Sequence, residues 1–259
     1  MKIGVILIAT NSYIVLSIKF VKRFMYFYTG NAKITFYIFT DKDPHEYLPD
    51  DVNIVFIETH HRNWVEGTDS KFSSIISIED KLVNEDFCIY VDSDTSVNKH
   101  FNEEWFIGES VGGQHYDDLG RMIREGRPFD RNPRSKAYIP RDSKLPQMYY
   151  YGAFFAFSSK KMIEFCKLLR SYQLEDKKWG YEPAVNDESY INREFHFNPP
   201  SKIVLIKDFK FAISDKSGIG DPRNPRLDVS NILTQLKEHK NDLIDIRGQT
   251  IICKEWKKN

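Results

Sequence analysis

Cysteine is scarce. The three in the chain, Cys88, Cys166 and Cys253, are too few and too scattered for a disulfide framework or a zinc site. They fit a reducing compartment, and the expected location is cytoplasmic. Long hydrophobic runs are missing too. The opening MKIGVILIAT is too short to span a bilayer and lacks the small-residue cleavage site of a signal peptide, so neither a membrane span nor a leader is expected. No charge of one sign dominates: Lys plus Arg is 37, Asp plus Glu is 37, and the net charge is zero. That balance argues against a nucleic-acid binder driven by overall charge. G-x-S-x-G, a Walker loop and G-x-G-x-x-G after a strand are all absent, which argues against an elbow-type hydrolase, an ATPase and a dinucleotide enzyme. Gly218-Ile219-Gly220 runs into Asp221-Pro222 and suits a turn.

What is present is an α/β pattern. Lys2 to Ala9 is a continuous apolar run and reads as a buried strand. Tyr13 to Tyr28 has helical spacing. Lys33 to Thr40 and Val52 to Thr59 read as strands, Lys71 to Val83 as a helix, and Asp86 to Val91 as a fourth strand. The alternation predicts a mainly parallel sheet with helices on both faces. Residues 112–148 read as a long irregular excursion. Tyr149 to Ser158 reads as an aromatic strand, Lys160 to Tyr172 and Asp187 to Phe195 as helices, and Lys202 to Ile206 as a last strand. With 259 residues and 41% apolar content, one large α/β domain is expected.

Three groups carry possible chemistry. Asp92-Ser93-Asp94 closes the fourth strand, where open α/β sheets bind ligands. Two converging carboxylates form a hard oxygen site suited to Mn²⁺ or Mg²⁺ with phosphates. A solvated acidic turn is the open alternative. A calcium loop is excluded, because Val97 stands where that turn requires Gly and a strand precedes it. Asp187 and Glu188 follow Asn186 near a helix start, and from the tripeptide alone a favourable dipole pairing is the better explanation. Tyr149 to Phe155 sets small residues among large ones, leaving room for a ligand or for tight packing. His60-His61 has no zinc spacing, and His115 falls in the excursion beside Tyr116.

In order, these pieces resemble glycosyltransferase family 6, the family of the histo-blood-group A and B transferases and α-1,3-galactosyltransferase. IGVILIATNSY and YIFTD are similar to its first two strands, VDSD to its metal motif, FDRNPRSKAYIP to its segment ending in AYIP, YYYGAFFAFS to its aromatic strand, and NDESYINREF to its W-H-D-E-S-x-L-N-K-Y. The resemblance runs from Ile3 to about Ile206. It implies one Rossmann-like GT-A domain over residues 1–259, with a nucleotide-binding half (1–110), an acceptor and catalytic half (111–212) and a tail (213–259). The implied activity is retaining transfer of galactose or N-acetylgalactosamine from a UDP-sugar, in α-1,3 linkage, to a glycan acceptor.

The resemblance also implies roles. Ile8, Ala9 and Tyr13 would line the uridine pocket. Asp92 and Asp94 would hold Mn²⁺ (or Mg²⁺), and Lys71 stands where the family has an Arg near the donor. Tyr151, Gly152 and Ala153 would sort donor sugars at C2, with Ala153 favouring galactose. His115 would touch the acceptor, Asp187 would bond the donor sugar, and Glu188 would be the carboxylate beneath the anomeric carbon. Val185 and Asn186 replace the family's Trp-His, and Asn132 replaces an Arg. Lys237, Lys240 and Arg247 are candidates for the family's basic tail over the diphosphate.

Overall fold

The computed structural model describes residues 1–115, 129–146, 148–205, 211–212, 229–240, 243–244 and 250–251. Its centre is a seven-stranded sheet. In chain order the strands are β1 (Lys2–Ile8), β2 (Lys33–Thr40), β3 (Ile54–Glu58), β4 (Phe87–Val91), β6 (Ser110–Gln114), β7 (Tyr150–Ser158) and β8 (Lys202–Val204). Their spatial order is β3-β2-β1-β4-β7-β6-β8. Strands β1 to β4 pair in parallel, β7 is antiparallel to both β4 and β6, and β8 is parallel to β6. Only β7 therefore runs against the rest, and the mainly parallel expectation holds for this sheet. Short pairings lie outside it: β5 (Ser96–Val97) with β9 (Phe211–Ala212), and β10 (Leu243–Ile244) with β11 (Thr250–Ile251).

Helices cover both faces, because the buried strands alternate apolar side chains to each side. Helix α1 (Tyr13–Phe27) sets Ile14, Ile18 and Val21 at helical steps against Val5, Leu7, Ile89 and Val91. Helices α2 (Trp64–Ser77), α3 (Glu79–Leu82), α4 (Ser159–Lys177) and α5 (Asn186–Phe197) lie on the opposite side. There Phe72, Ile75, Leu82, Met162, Cys166, Leu169 and Phe195 pack with Ile6, Phe39, Cys88, Tyr90 and Phe155. Each fully buried side chain of this size contributes about 1.5–3 kcal/mol. Helix α6 (Val229–Glu238) buries Leu233 and Leu236 in the α1-side core.

Helix α2 starts seven residues before the expected Lys71. Asn63 caps it, its side chain accepting from the Glu66 amide at 3.0 Å, while the Glu66 carboxylate accepts from the Arg62 amide at 2.8 Å. This N-x-x-E signature is a helix start that apolar spacing alone misses. The excursion expected over 112–148 begins instead with the end of β6, whose Val111 and Gly112 pair with Ala156 and Phe155. Helix α4 extends to Lys177, five residues past the expected end.

Candidate active site

The antiparallel course of β7 builds the site. It brings the start of β7 to the edge where β1 and β4 end, and the Asp92 amide donates to the Ala153 carbonyl at 3.0 Å. Strand order reverses direction between β1 and β4, so this edge is a topological switch point, the usual crevice of open α/β sheets. Strand β7 is irregular at the same place. Gly112 of β6 pairs with Phe155, yet Gln114 pairs with Tyr150, so β7 carries extra residues between those pairs. Such bulges re-aim backbone groups. Here the Gly152 amide donates to Glu188 Oε2 at 2.6 Å, and its carbonyl accepts from Lys71 Nζ at 3.0 Å.

Lys71 is the hub. Its ammonium, 3% exposed, lies 2.5 Å from Asp187 Oδ2 and 3.4 Å from Asp92 Oδ1, and 4.6 Å from the centre of the Tyr90 ring. Burial alone would depress its pKa, but Asp187 and Asp92 outweigh burial and hold the ammonium above the ordinary lysine value. The Tyr90 hydroxyl donates to Asp92 Oδ1 at 2.6 Å. Burial raises the Tyr90 pKa well above the ordinary value, and the charges of Asp92, Asp187 and Asp94 add to it. All three acids therefore lie close enough to act on one phenol, and Asp92 is bonded to it.

Asp92 and Asp94 are not related by strand alternation, as spacing alone suggests. The chain turns there, the Thr95 amide donating to the Asp92 carbonyl at 3.1 Å. Both residues stay half-exposed at the mouth of the crevice. Among the described residues no cluster of three or more His, Cys, Asp and Glu side chains could hold a metal. A two-carboxylate oxygen set fits Mn²⁺ or Mg²⁺ completed by phosphate and water, and it lacks the imidazoles or thiolates of a closed zinc site.

Helix α5 supplies the other two acids from its first turn, where the helix dipole favours negative charge. The turn into it places Asn186 at φ 36°, a left-handed conformation that Asn tolerates better than most side chains. Asp187 is buried, and burial raises its pKa while Lys71 opposes the rise. Glu188 has both oxygens engaged: Oε1 accepts from the Tyr149 hydroxyl at 2.5 Å and Oε2 from Gly152. Burial pushes its pKa up to about 7, against the pull of those two donors. Asn192, one turn further and fully buried, pins the helix to β7. It accepts from the Tyr150 amide at 2.7 Å and donates to the Tyr150 carbonyl at 2.9 Å.

The expected uridine-pocket residues lie at the same edge. Ile6 pairs with Tyr90, and continuing that register brings Ile8 level with Asp92. Ala9 is buried, its amide bonded to the Phe39 carbonyl at 2.8 Å, and half-buried Tyr13 opens α1. His61, passed over in the sequence, is buried beside them. Its ring meets Thr10 Oγ1 at 3.3 Å and Ser70 Oγ at 2.9 Å, and its carbonyl accepts from the Asn11 amide group at 2.9 Å. His115 follows β6, donates its amide to the Tyr149 carbonyl at 2.9 Å, and sets its ring against Tyr149 and Tyr151 at 5.3 and 5.2 Å. Tyr151 is half-buried, whereas Gly152 and Ala153 are buried.

The sequence singled out Asp92, Asp94, Lys71, Asp187, Glu188 and Gly152, and the structure brings them together. It missed Tyr90, Asn192 and the tie from Tyr149 to Glu188. Asn192 carried one signal, a polar residue four after Glu188 on the same helix face. Of the basic-tail candidates, Lys237 pairs with Glu46 at 3.0 Å and Lys240 with Asp50 at 2.5 Å; Arg247 is outside the described residues, as is Tyr116 beside His115.

A mainly parallel sheet with one reversed strand and acids gathered at its switch point defines a GT-A-like glycosyltransferase architecture, and residues 1–216 match the model of glycosyltransferase family 6. The chain belongs to that family. Among its relatives is the histo-blood group ABO system transferase 1 of Rattus norvegicus, 26% identical over 214 residues, covering 78% of this chain and 59% of that protein. A globoside α-1,3-N-acetylgalactosaminyltransferase 1 of Gallus gallus is 30% identical over 216 residues, covering 78% of this chain and 60% of its own length. The O-antigen biosynthesis glycosyltransferase WbnI of Escherichia coli is 24% identical over 194 residues, covering 70% of this chain and 80% of that protein. The chain thus spans about three fifths of the length of the animal relatives it matches. No helix among the described residues is long and apolar enough to cross a membrane.

Proposed function

We propose that this chain is a retaining, metal-dependent hexosyltransferase that moves galactose or N-acetylgalactosamine from a UDP-sugar, in α-1,3 linkage, to a galactose-type glycan acceptor. The observation that carries the reading is the Lys71 bridge: one buried ammonium joins Asp92 of the mouth to Asp187, next to Glu188. Family membership and the names of the relatives support the same chemistry. The sharing of one sheet by residues 1–110 and 111–204 supports reading the chain as a single GT-A domain.

In this mechanism Ile8, Ala9 and Tyr13 receive the uridine, Asp187 holds the donor sugar, and His115 meets the acceptor. Asp92 and Asp94 would hold the cation, which when bound neutralises diphosphate charge and makes UDP a better leaving group. The bond from the anomeric carbon to the diphosphate oxygen breaks, its electron pair leaving with UDP, and positive charge develops on the sugar ring. Ionised Glu188 stabilises that charge from the face opposite UDP while the acceptor hydroxyl attacks from the UDP face, or it bonds to the anomeric carbon and is then displaced by the acceptor hydroxyl; in either route the hydroxyl proton passes to the departing diphosphate. Both routes retain the anomeric configuration. Ala153 is buried, so half-buried Tyr151 is the side chain of that stretch with more reach to the donor.

A transferase of different linkage is the second reading, favoured by Val185 and Asn186 where the family has Trp-His. A donor screen with UDP-galactose and UDP-N-acetylgalactosamine, Mn²⁺ and terminal-galactose acceptors, read by mass and by linkage analysis, tests both. The proposal predicts an added hexose or N-acetylhexosamine in α-1,3 linkage. No transfer with either donor would sink it.

A further inference from the structure

We propose that Tyr149 is a positioning residue that holds Glu188 through its hydroxyl and, through that same bond, keeps its carboxylate ionised for reaction. This deepens the proposed function and rests on the role given there to Glu188.

The geometry is specific. Tyr149 is 1% exposed and stands just before β7, so its position is set by the strand and not by solvent. Its ring is wedged edge-on against Phe129 at 5.4 Å and His115 at 5.3 Å, which fixes the direction of the hydroxyl. That hydroxyl donates to Glu188 Oε1 at 2.5 Å, while the Gly152 amide donates to Oε2. Two donors on two oxygens leave the carboxylate one orientation. A short hydrogen bond from a neutral phenol to a carboxylate favours the charged form without adding a charge that would bind the diphosphate.

The surroundings show why such a donor is needed. Glu188 is half-buried and next in sequence to Asp187, and both its burial and that charge disfavour its ionisation. Lys71 on α2 favours it, but that ammonium is committed at closer range to Asp187 and Asp92. On the β7 side, the Tyr149 hydroxyl and the Gly152 amide are the groups that favour the ionised form. His115 packs on the Tyr149 ring, so the expected acceptor contact and the carboxylate share one phenol.

The test is Tyr149→Phe, which keeps the ring and removes the bond. The expected result is a kcat/KM profile whose acid limb moves up by about one pH unit. Activity should fall about tenfold below that limb and recover to within a few-fold above it, with donor KM little changed. A merely structural role would lower activity evenly across pH and leave the limb in place, overturning the proposal. A second readout does not use activity: the titration of ¹³C-carboxyl-labelled glutamate, with Glu188 assigned by Glu188→Gln. It should show the same upward shift in Tyr149→Phe, and an unmoved titration would overturn the proposal. If Tyr149→Phe does not fold, 3-fluorotyrosine at position 149, a stronger donor of nearly the same shape, should move the Glu188 titration down, and no movement counts against it. A wild-type protein that transfers no sugar, with the Glu188 titration still shifted upward in Tyr149→Phe, would contradict the proposed function alone.

Discussion

The Gly152 amide donates to Glu188 Oε2 at 2.6 Å, and a methyl group on Gly152 would lie 2.8 Å from Glu188 Cβ. The strand and the first turn of α5 are in contact closer than any side chain allows, and the absence of one is what permits the bond. Gly152→Ala must push Glu188 or β7 aside. Misplacement of a reacting group by about 1 Å can cost about a hundredfold in rate. Steady-state kinetics should show a kcat loss of that order with an unchanged circular-dichroism spectrum. Activity within twofold of wild type would show that the contact is slack.

Lys71 is the cation that pairs with both Asp187 and Asp92. Lys71→Met would leave Asp187 buried and uncompensated, a change that costs about 3–5 kcal/mol in comparable buried pairs. Urea denaturation at pH 7 should record a loss of this size together with loss of activity. A variant as stable as wild type would mean that water already serves these carboxylates.

The pH dependence follows from Glu188, whose burial raises its pKa to about 7. The proposed reaction needs the ionised form, so kcat/KM should rise with pH through about 7. For stability the sign is opposite. With its folded pKa above the ordinary 4.5, Glu188 binds its proton more tightly in the fold, so its contribution to stability is full below pH 4.5 and is lost as pH rises through about 7. Glu188→Gln should remove that slope from urea midpoints measured between those pH values. An acid limb below pH 5 would contradict the assignment.

Metal dependence is expected from Asp92 and Asp94. Excess EDTA should abolish transfer and Mn²⁺ should restore it. Asp92→Asn and Asp94→Asn should each lower kcat/KM by about a hundredfold or more, given the several kcal/mol a Lewis acid contributes. Full activity in EDTA would refute the two-carboxylate metal site.

Much of this was legible in the sequence because local signals and long-range structure agree. The run of apolar residues in β1 and β4 predicts buried parallel strands, and Asp92 follows directly from the end of β4. Asp187 and Glu188 were legible as acids at a helix start. What joins them was not. The tie from Tyr149 to Glu188 and the pairing of Asn192 with Tyr150 span 39 and 42 residues, and they exist because β7 runs backwards into the sheet. No periodicity records strand direction. The bulge that turns Gly152 toward α5 was hidden for a related reason, since YYYGAFFAFS reads the same with or without extra residues in its ladder. The start of α2 is written in Asn63 and Glu66, a polar signal that apolar spacing does not carry.

The decisive measurement is turnover by Glu188→Gln with the UDP-sugar that the wild-type protein uses. Replacing the carboxylate proposed to face the anomeric carbon should lower kcat about a thousandfold, some 4 kcal/mol of barrier, while donor binding by calorimetry stays close to wild type. Turnover within a few-fold of wild type would contradict that role.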